Sequence, residues 1–191
     1  MRRLLSHETI KYLPDEITGS LFIDYRHFDA AKIAPRYEFG FGLSYTTFEY
    51  SGLSINTIAG GQDQDGALKT NWAAGKPSPE VVGGSTALWL HRAAINVSFT
   101  VENTGAVAGT EIAQVYLHFP EHSGEPPSVL RGFTDVYLQT GEVQNVTITL
   151  SRYDLSIWDV VSQSWIRPAG TYSLSVGASS RDFRLKGEIP F

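Results

Sequence analysis

Cysteine is absent from all 191 residues, which removes disulfides, zinc–thiolate sites and thiol nucleophiles as ways to hold or use the fold. That absence assigns no compartment, because many secreted folds have no bridges. Charge is also sparse: Asp, Glu, Lys and Arg make up 18% of the chain, the formal net charge is −5 and the sequence pI is near 5.5. The 15 basic residues are scattered, whereas a phosphate-binding surface concentrates them, so no nucleic-acid partner is expected. No run approaches the ~20 apolar residues needed to span a bilayer, so no membrane partner is expected either. Met1-Arg2-Arg3-Leu4-Leu5 begins like the positive end of a signal peptide, but the apolar run stops at Ser6, and no signal peptide is read in this chain.

What is present is enough to build a core: 42% hydrophobic residues, with 4 Trp, 9 Tyr and 10 Phe. Residues 1 to about 16 show no clean period. The run Leu21-Phe22-Ile23-Asp24-Tyr25 reads as a short strand covered on both faces. The glycine-punctuated Phe39-Gly40-Phe41-Gly42-Leu43 reads as irregular backbone at a domain junction.

From Thr46 the period becomes two. Phe48 and Tyr50 alternate with polar residues in one parity and Leu53 and Ile55 in the other, which places a β-bulge at Ser51-Gly52. Residues 59 to about 90 read as a long inserted loop. Strands follow at Ile95–Val101, at Ile112–Phe119 with Ala113, Val115 and Leu117 facing in, at Val129–Phe133, at Val136–Leu138 and over Val146, Ile148 and Leu150. Trp158 and Trp165 flank a hairpin, and Tyr172, Leu174 and Val176 form the last alternating strand. About seven short strands separated by turn residues predict an all-β immunoglobulin or fibronectin type III-like sandwich.

Several strings have the order and spacing of a known family: Phe22-Ile23-Asp24-Tyr25-Arg26-His27-Phe28-Asp29, then Pro35-Arg36-Tyr37-Glu38-Phe39-Gly40-Phe41-Gly42-Leu43-Ser44-Tyr45-Thr46-Thr47-Phe48. Further on come Val101-Glu102-Asn103-Thr104-Gly105, Leu130-Arg131-Gly132-Phe133 and Asp154-Leu155-Ser156-Ile157-Trp158-Asp159. Over residues 20–191 the chain resembles the C-terminal end of fungal glycoside hydrolase family 3 β-glucosidases. The resemblance implies that residues 1–45 are a remnant of the family's α/β sandwich domain with its junction, and that residues 46–191 are its fibronectin type III-like domain. It implies an extracellular parent enzyme acting on terminal non-reducing β-glucosyl residues, as in cellobiose, with its catalytic domains as this domain's partners.

The resemblance places the family's aspartate nucleophile and its acid/base glutamate upstream of this segment. A retaining glycosidase requires both carboxyls about 5–5.5 Å apart, so no catalytic residue is expected here and the chain alone should be inactive. The alternative readings are a free-standing carbohydrate-binding or adhesion module, with polysaccharide as partner, and a truncated gene product.

Asp24, Arg26 and Asp29 are expected to form an ion pair at the junction, with Asp24 and Arg26 on one side of a strand. Gly40-Phe41-Gly42 has no helix after it, so no dinucleotide cofactor is expected. His118 and His122 are separated by Pro120, so they read as solvated loop histidines, with no metal. Trp72 and Trp89, in or beside the long loop, are candidate carbohydrate contacts. Asn96-Val97-Ser98 and Asn145-Val146-Thr147 are glycosylation sequons whose asparagines lie on the polar parity of their strands.

Overall fold

A computed structural model describes residues 21–58, 70, 71, 73–75 and 89–191. Its strands are β1 (Phe48–Thr57), β2 (Ala93–Asn103), β3 (Gly109–His118), β4 (Val129–Leu138), β5 (Val143–Ser151), β6 (Ile157–Asp159), β7 (Ser164–Ile166), β8 (Ser173–Gly177) and β9 (Phe183–Glu188). One helix, α1 (Tyr25–Ala30), precedes them. A three-stranded sheet ordered β1-β2-β5 faces a four-stranded sheet ordered β4-β3-β8-β9, and β6 pairs with β7 in a separate hairpin. Every pairing is antiparallel. This three-on-four arrangement is a fibronectin type III-like β-sandwich.

Alternation decides which side chains fill it. On β2, Ile95, Val97, Phe99 and Val101 point inward and are buried, as are Val146, Ile148 and Leu150 on β5 and Ala113, Val115 and Leu117 on β3. Phe99 stacks on Tyr50 with ring centroids 5.9 Å apart. The expected bulge on β1 is present: the register with β2 shifts between Ser51 and Ser54, and Leu53 and Ile55 turn back toward the core. The two strands expected over Val129–Phe133 and Val136–Leu138 are one continuous β4 whose register with β3 shifts at Arg131. Next to that shift, Gly132 faces the opposite sheet. A Cβ there would lie 2.5 Å from Ile148 Cγ2, so the sheets approach this closely only because the residue is glycine.

Polar groups lock the sandwich ends. Asn103 is fully buried; its Oδ1 accepts from the Thr46 hydroxyl (2.6 Å) and the Gly105 N–H (3.0 Å), and its Nδ2 donates to the carbonyls of Val107 (2.8 Å) and Leu138 (3.1 Å). At the other end Tyr172 is fully buried, and its hydroxyl lies 3.1 Å from the Pro168 carbonyl, four residues upstream, and 3.3 Å from that of Leu155. This is the tyrosine-corner arrangement of such sandwiches.

The N-terminal segment departs from expectation. Leu21–Asp24 is not a strand, and Tyr25 opens a helix instead. An isolated strand with both faces apolar has no sheet to enter here, so the chain coils and presents its aromatics to the sandwich. Residues from about 25 to 45 then run across the outer face of the four-stranded sheet. The long loop expected over residues 59–90 lies almost wholly outside the described residues, Trp72 included.

Candidate functional surfaces

The outer face of the four-stranded sheet begins with an oddity of pattern: Gln114 and Tyr116 sit at outward parity on β3, yet both are buried. The N-terminal segment covers them. Tyr25 stacks on Phe39 at 4.5 Å and meets Tyr116 edge-on at 6.1 Å. The Leu130 N–H donates to the Tyr25 phenol oxygen at 2.8 Å, and burial raises that phenol's pKa. Tyr116 donates to Gln114 Oε1 (2.6 Å), and Gln114 Nε2 donates to the carbonyls of Gly40 (3.1 Å) and Ala178 (2.6 Å). Gly40 has a φ of 80°, and a Cβ there would overlap the Gln114 side chain, which accounts for the glycine in Phe39-Gly40-Phe41.

Ionic and backbone contacts extend the attachment. Arg181 Nε donates to Asp29 Oδ1 at 2.9 Å, its Nη2 donates to the Ile33 carbonyl at 2.7 Å, and the Ser180 N–H donates to the Phe39 carbonyl at 2.8 Å. The junction ion pair therefore exists, but Asp29 finds an arginine 152 residues away, not Arg26. Because the segment is helical from Tyr25, Asp24 and Arg26 do not share one side of a strand.

Beside this attachment lies a groove of about 460 Å³ between the Gly40–Ser44 backbone, Glu111, Asp182 and Arg184. Arg184 forks onto both Asp182 oxygens at 2.6 Å, donates to the Phe48 carbonyl at 3.0 Å and lies over the Tyr50 ring. The hydrogen bond from Arg184 holds the Asp182 carboxyl below the usual carboxylate range. Tyr50 donates to Glu111 Oε1 at 2.9 Å, and burial still raises the Glu111 pKa despite that bond and the Arg184 charge. Glu111 on β3 is tied to Tyr50 on β1, and Arg184 on β9, held by Asp182 two residues before it, reaches the Phe48 carbonyl on β1, a clamp joining β1, β3 and β9.

Around the groove and the covered sheet, large apolar side chains face solvent. Leu43 is 93% exposed, Tyr45 101%, Phe133 68% and Tyr137 57%, with Tyr37, Phe41 and Ile112 also open. Such a patch marks an interaction surface.

The outer face of the three-stranded sheet has the opposite character. Ser51, Ser54 and Asn56 on β1, Asn96, Ser98 and Thr100 on β2, and Asn145, Thr147 and Thr149 on β5 lie in facing register. Thr149 donates to Asn96 Oδ1 (2.7 Å), Ser98 and Thr147 share a hydroxyl–hydroxyl bond (2.8 Å), and Thr100 donates to Asn145 Oδ1 (2.9 Å). The sequon asparagines thus stand outward as their parity predicts, with Asn145 exposed and Asn96 half-buried on the central strand.

The other singled-out residues fall elsewhere. Trp89 is only 3% exposed: it joins the core, with the Arg152 guanidinium 5.7 Å over its ring. An indole covered on both sides has no face for a sugar, so the carbohydrate contact expected of an exposed loop tryptophan does not fit this residue. Trp158 and Trp165 are a cross-strand pair of the β6–β7 hairpin, 5.6 Å apart and edge-on, and Trp165 also packs on Tyr153. His118 is not a solvated loop residue. It lies on the outer sheet face, bonded to the Pro127 carbonyl (2.7 Å) and Ser175 Oγ (2.8 Å), and burial lowers its pKa. His122 is exposed on the 3-10 turn Glu121–Ser123, and among the described residues no cluster of metal-ligating side chains is found.

Residues 111–180 match the fibronectin type III-like domain family, which agrees with the strand order and defines the class of protein. The chain is 47% identical over 176 residues to the probable β-glucosidase L of Neosartorya fischeri, covering 92% of this chain and 22% of that protein. It is 44% identical over 178 residues to the β-glucosidase cel3A of Pyricularia oryzae, with 92% and 23% coverage. Among solved structures, the β-D-glucoside glucohydrolase of Trichoderma reesei superposes with a TM-score of 0.77 at 41% identity, over 92% of this chain and 23% of that one. The β-glucosidase D2-BGL of Chaetomella raphigera gives 0.75 at 43% identity, with the same coverage. The chain corresponds to the C-terminal part of the fungal glycoside hydrolase family 3 β-glucosidases and carries their fibronectin type III-like domain. It spans less than a quarter of the length of these relatives.

Proposed function

We propose that this chain is the non-catalytic end of a secreted β-glucosidase, whose other domains hydrolyse terminal non-reducing β-glucosyl residues of substrates such as cellobiose. Its task is to hold those catalytic domains in place. The observation that carries this reading is a concentration of exposed apolar groups: Leu43, Tyr45, Phe133 and Tyr137 are open around the covered sheet, whereas Val143 is the large apolar side chain exposed on the described strands of the three-stranded sheet. They lie around the segment 25–45, which the resemblance assigns to the junction with the α/β domain. In this reading residues 1–45 belong to that junction and 46–191 to the fibronectin-like domain. The groove carboxylates serve the clamp: Asp182 is held by Arg184 and Glu111 by Tyr50.

The test is complementation. A β-glucosidase of the family lacking this segment should be inactivated at lower temperature than the full enzyme, and adding the chain in trans should restore its resistance. Phe133→Asp and Tyr137→Asp should abolish the rescue while leaving this chain's own unfolding transition unchanged. Rescue unaffected by both substitutions would overturn the docking face. Retention of the isolated chain on cellulose would instead favour a carbohydrate-binding module, a reading weakened by the burial of Trp89.

A further inference from the structure

The polar outer face of the three-stranded sheet carries an arrangement that the docking reading does not use. Two sequons lie there on neighbouring strands, Asn96-Val97-Ser98 on β2 and Asn145-Val146-Thr147 on β5. Asn96 is opposite Thr149 and Asn145 is opposite Thr100. The two asparagines are therefore four residues apart along the sheet, about 13 Å at a strand's rise. In each, Oδ1 is turned to a threonine hydroxyl on the adjoining strand. Neither Nδ2, the atom that would bear a sugar, makes a hydrogen bond in the structure. A glycan on either one projects from the face without displacing a bond of the sheet.

The sequon hydroxyls add an order of events. Ser98 Oγ and Thr147 Oγ1 are bonded to each other at 2.8 Å, so in the folded sheet each sequon's third residue is occupied by the other sequon. Both sequon backbones are also fixed in ladder register. A transferase must bind the sequon as a free strand with its hydroxyl available, and a paired strand denies it both.

We infer that Asn96 and Asn145 are both N-glycosylated, and that the transfer precedes the pairing of β2 with β5. The donor is a lipid-diphosphate-linked oligosaccharide. The N–C bond forms between Nδ2 and the anomeric carbon as that carbon's C–O bond to the diphosphate breaks; the lipid diphosphate leaves and the amide nitrogen gives up one proton. The glycans then cover the face opposite the exposed aromatics.

Two measurements test this, neither depending on a catalytic partner. The full chain, secreted from a eukaryotic host behind an added signal, should lose two glycan masses on endoglycosidase treatment. Asn96→Gln and Asn145→Gln should each remove one glycan, and so should Ser98→Ala and Thr147→Val, while Thr147→Ser should keep both. A folded, secreted chain of bare mass, or one occupied at a single asparagine, overturns the two-site assignment. For the order of events, bacterially produced folded chain is incubated with solubilised oligosaccharyltransferase and lipid-linked donor. It should remain unmodified, whereas the same chain added from urea should be modified at least tenfold more. Equal modification of both overturns the claim that pairing closes the sites.

Discussion

The outer face of the three-stranded sheet shows serine, threonine and asparagine bonded strand to strand, whereas the outer face of the four-stranded sheet is covered by aromatics of the 25–45 segment and ringed by exposed ones. Both faces come from strands of the same period, so pleating alone does not explain the difference. A face that meets water satisfies itself with short hydroxyl and amide pairs. A face that meets protein carries large apolar groups, and here the neighbour of Tyr116 is supplied from elsewhere in the chain, by Tyr25. One sandwich therefore has a finished side and a side covered by its own N-terminal segment.

The contrast is broken most thoroughly from inside. Phe99 belongs to the core beneath the polar face and stacks on Tyr50; Phe99→Ala should cost about 3–5 kcal/mol in urea unfolding, destabilising both faces together. If only one sheet lost hydrogen-exchange protection, the faces would not share one cooperative core. Tyr25→Ala acts on the covered side alone: it removes the stack on Phe39 and the partner of the Leu130 N–H. It should cost about 2 kcal/mol and raise exchange at Leu130, and an unchanged transition would mean that the segment does not stabilise the sandwich.

On the polar side the effects should be small. Thr147→Val breaks the bond to Ser98 on a solvent-facing strand and should cost about 0.5 kcal/mol in thermal unfolding of the unglycosylated chain. A loss several times larger would show that this face is not merely finished but structurally critical.

The subtlest effect is on pH. His118 lies on the covered side, and burial depresses its pKa from the ordinary 6.5, with the Lys186 charge acting in the same direction and the bond to the Pro127 carbonyl opposing. The unfolded chain then binds a proton at a pH where the folded chain does not. Stability from this group is complete above about pH 6.5 and is lost as pH falls through the lower folded value. His118→Gln should flatten the stability-versus-pH curve in that window, seen by urea titration at several pH values.

Alternation at Ile95–Val101 and Val146–Leu150, the parity switch at Ser51-Gly52 and the outward position of both sequon asparagines were legible in the residues, because pleating and burial are local consequences of period two. The fate of Leu21–Tyr25 was not. An apolar run of that length suits a buried strand or a helix equally, and here Leu21–Asp24 forms neither; only Tyr25, at the helix start, docks, because Tyr116, Phe39 and Leu130 receive it. Trp89 misled for a related reason: its loop-like neighbours suggested exposure, but Arg152, 63 residues on, places a guanidinium over it.

By itself, then, the sequence determined the all-β sandwich, its inward and outward residues and its family strings, since these depend on neighbours two residues apart or on linear order. Tertiary structure alone decided that Asp29 pairs with Arg181, that Gln114 bridges Gly40 and Ala178, and that Ser98 bonds Thr147. Those contacts join residues tens to more than a hundred positions apart, and no local period records which distant side chain the closing of two sheets will bring to hydrogen-bond distance.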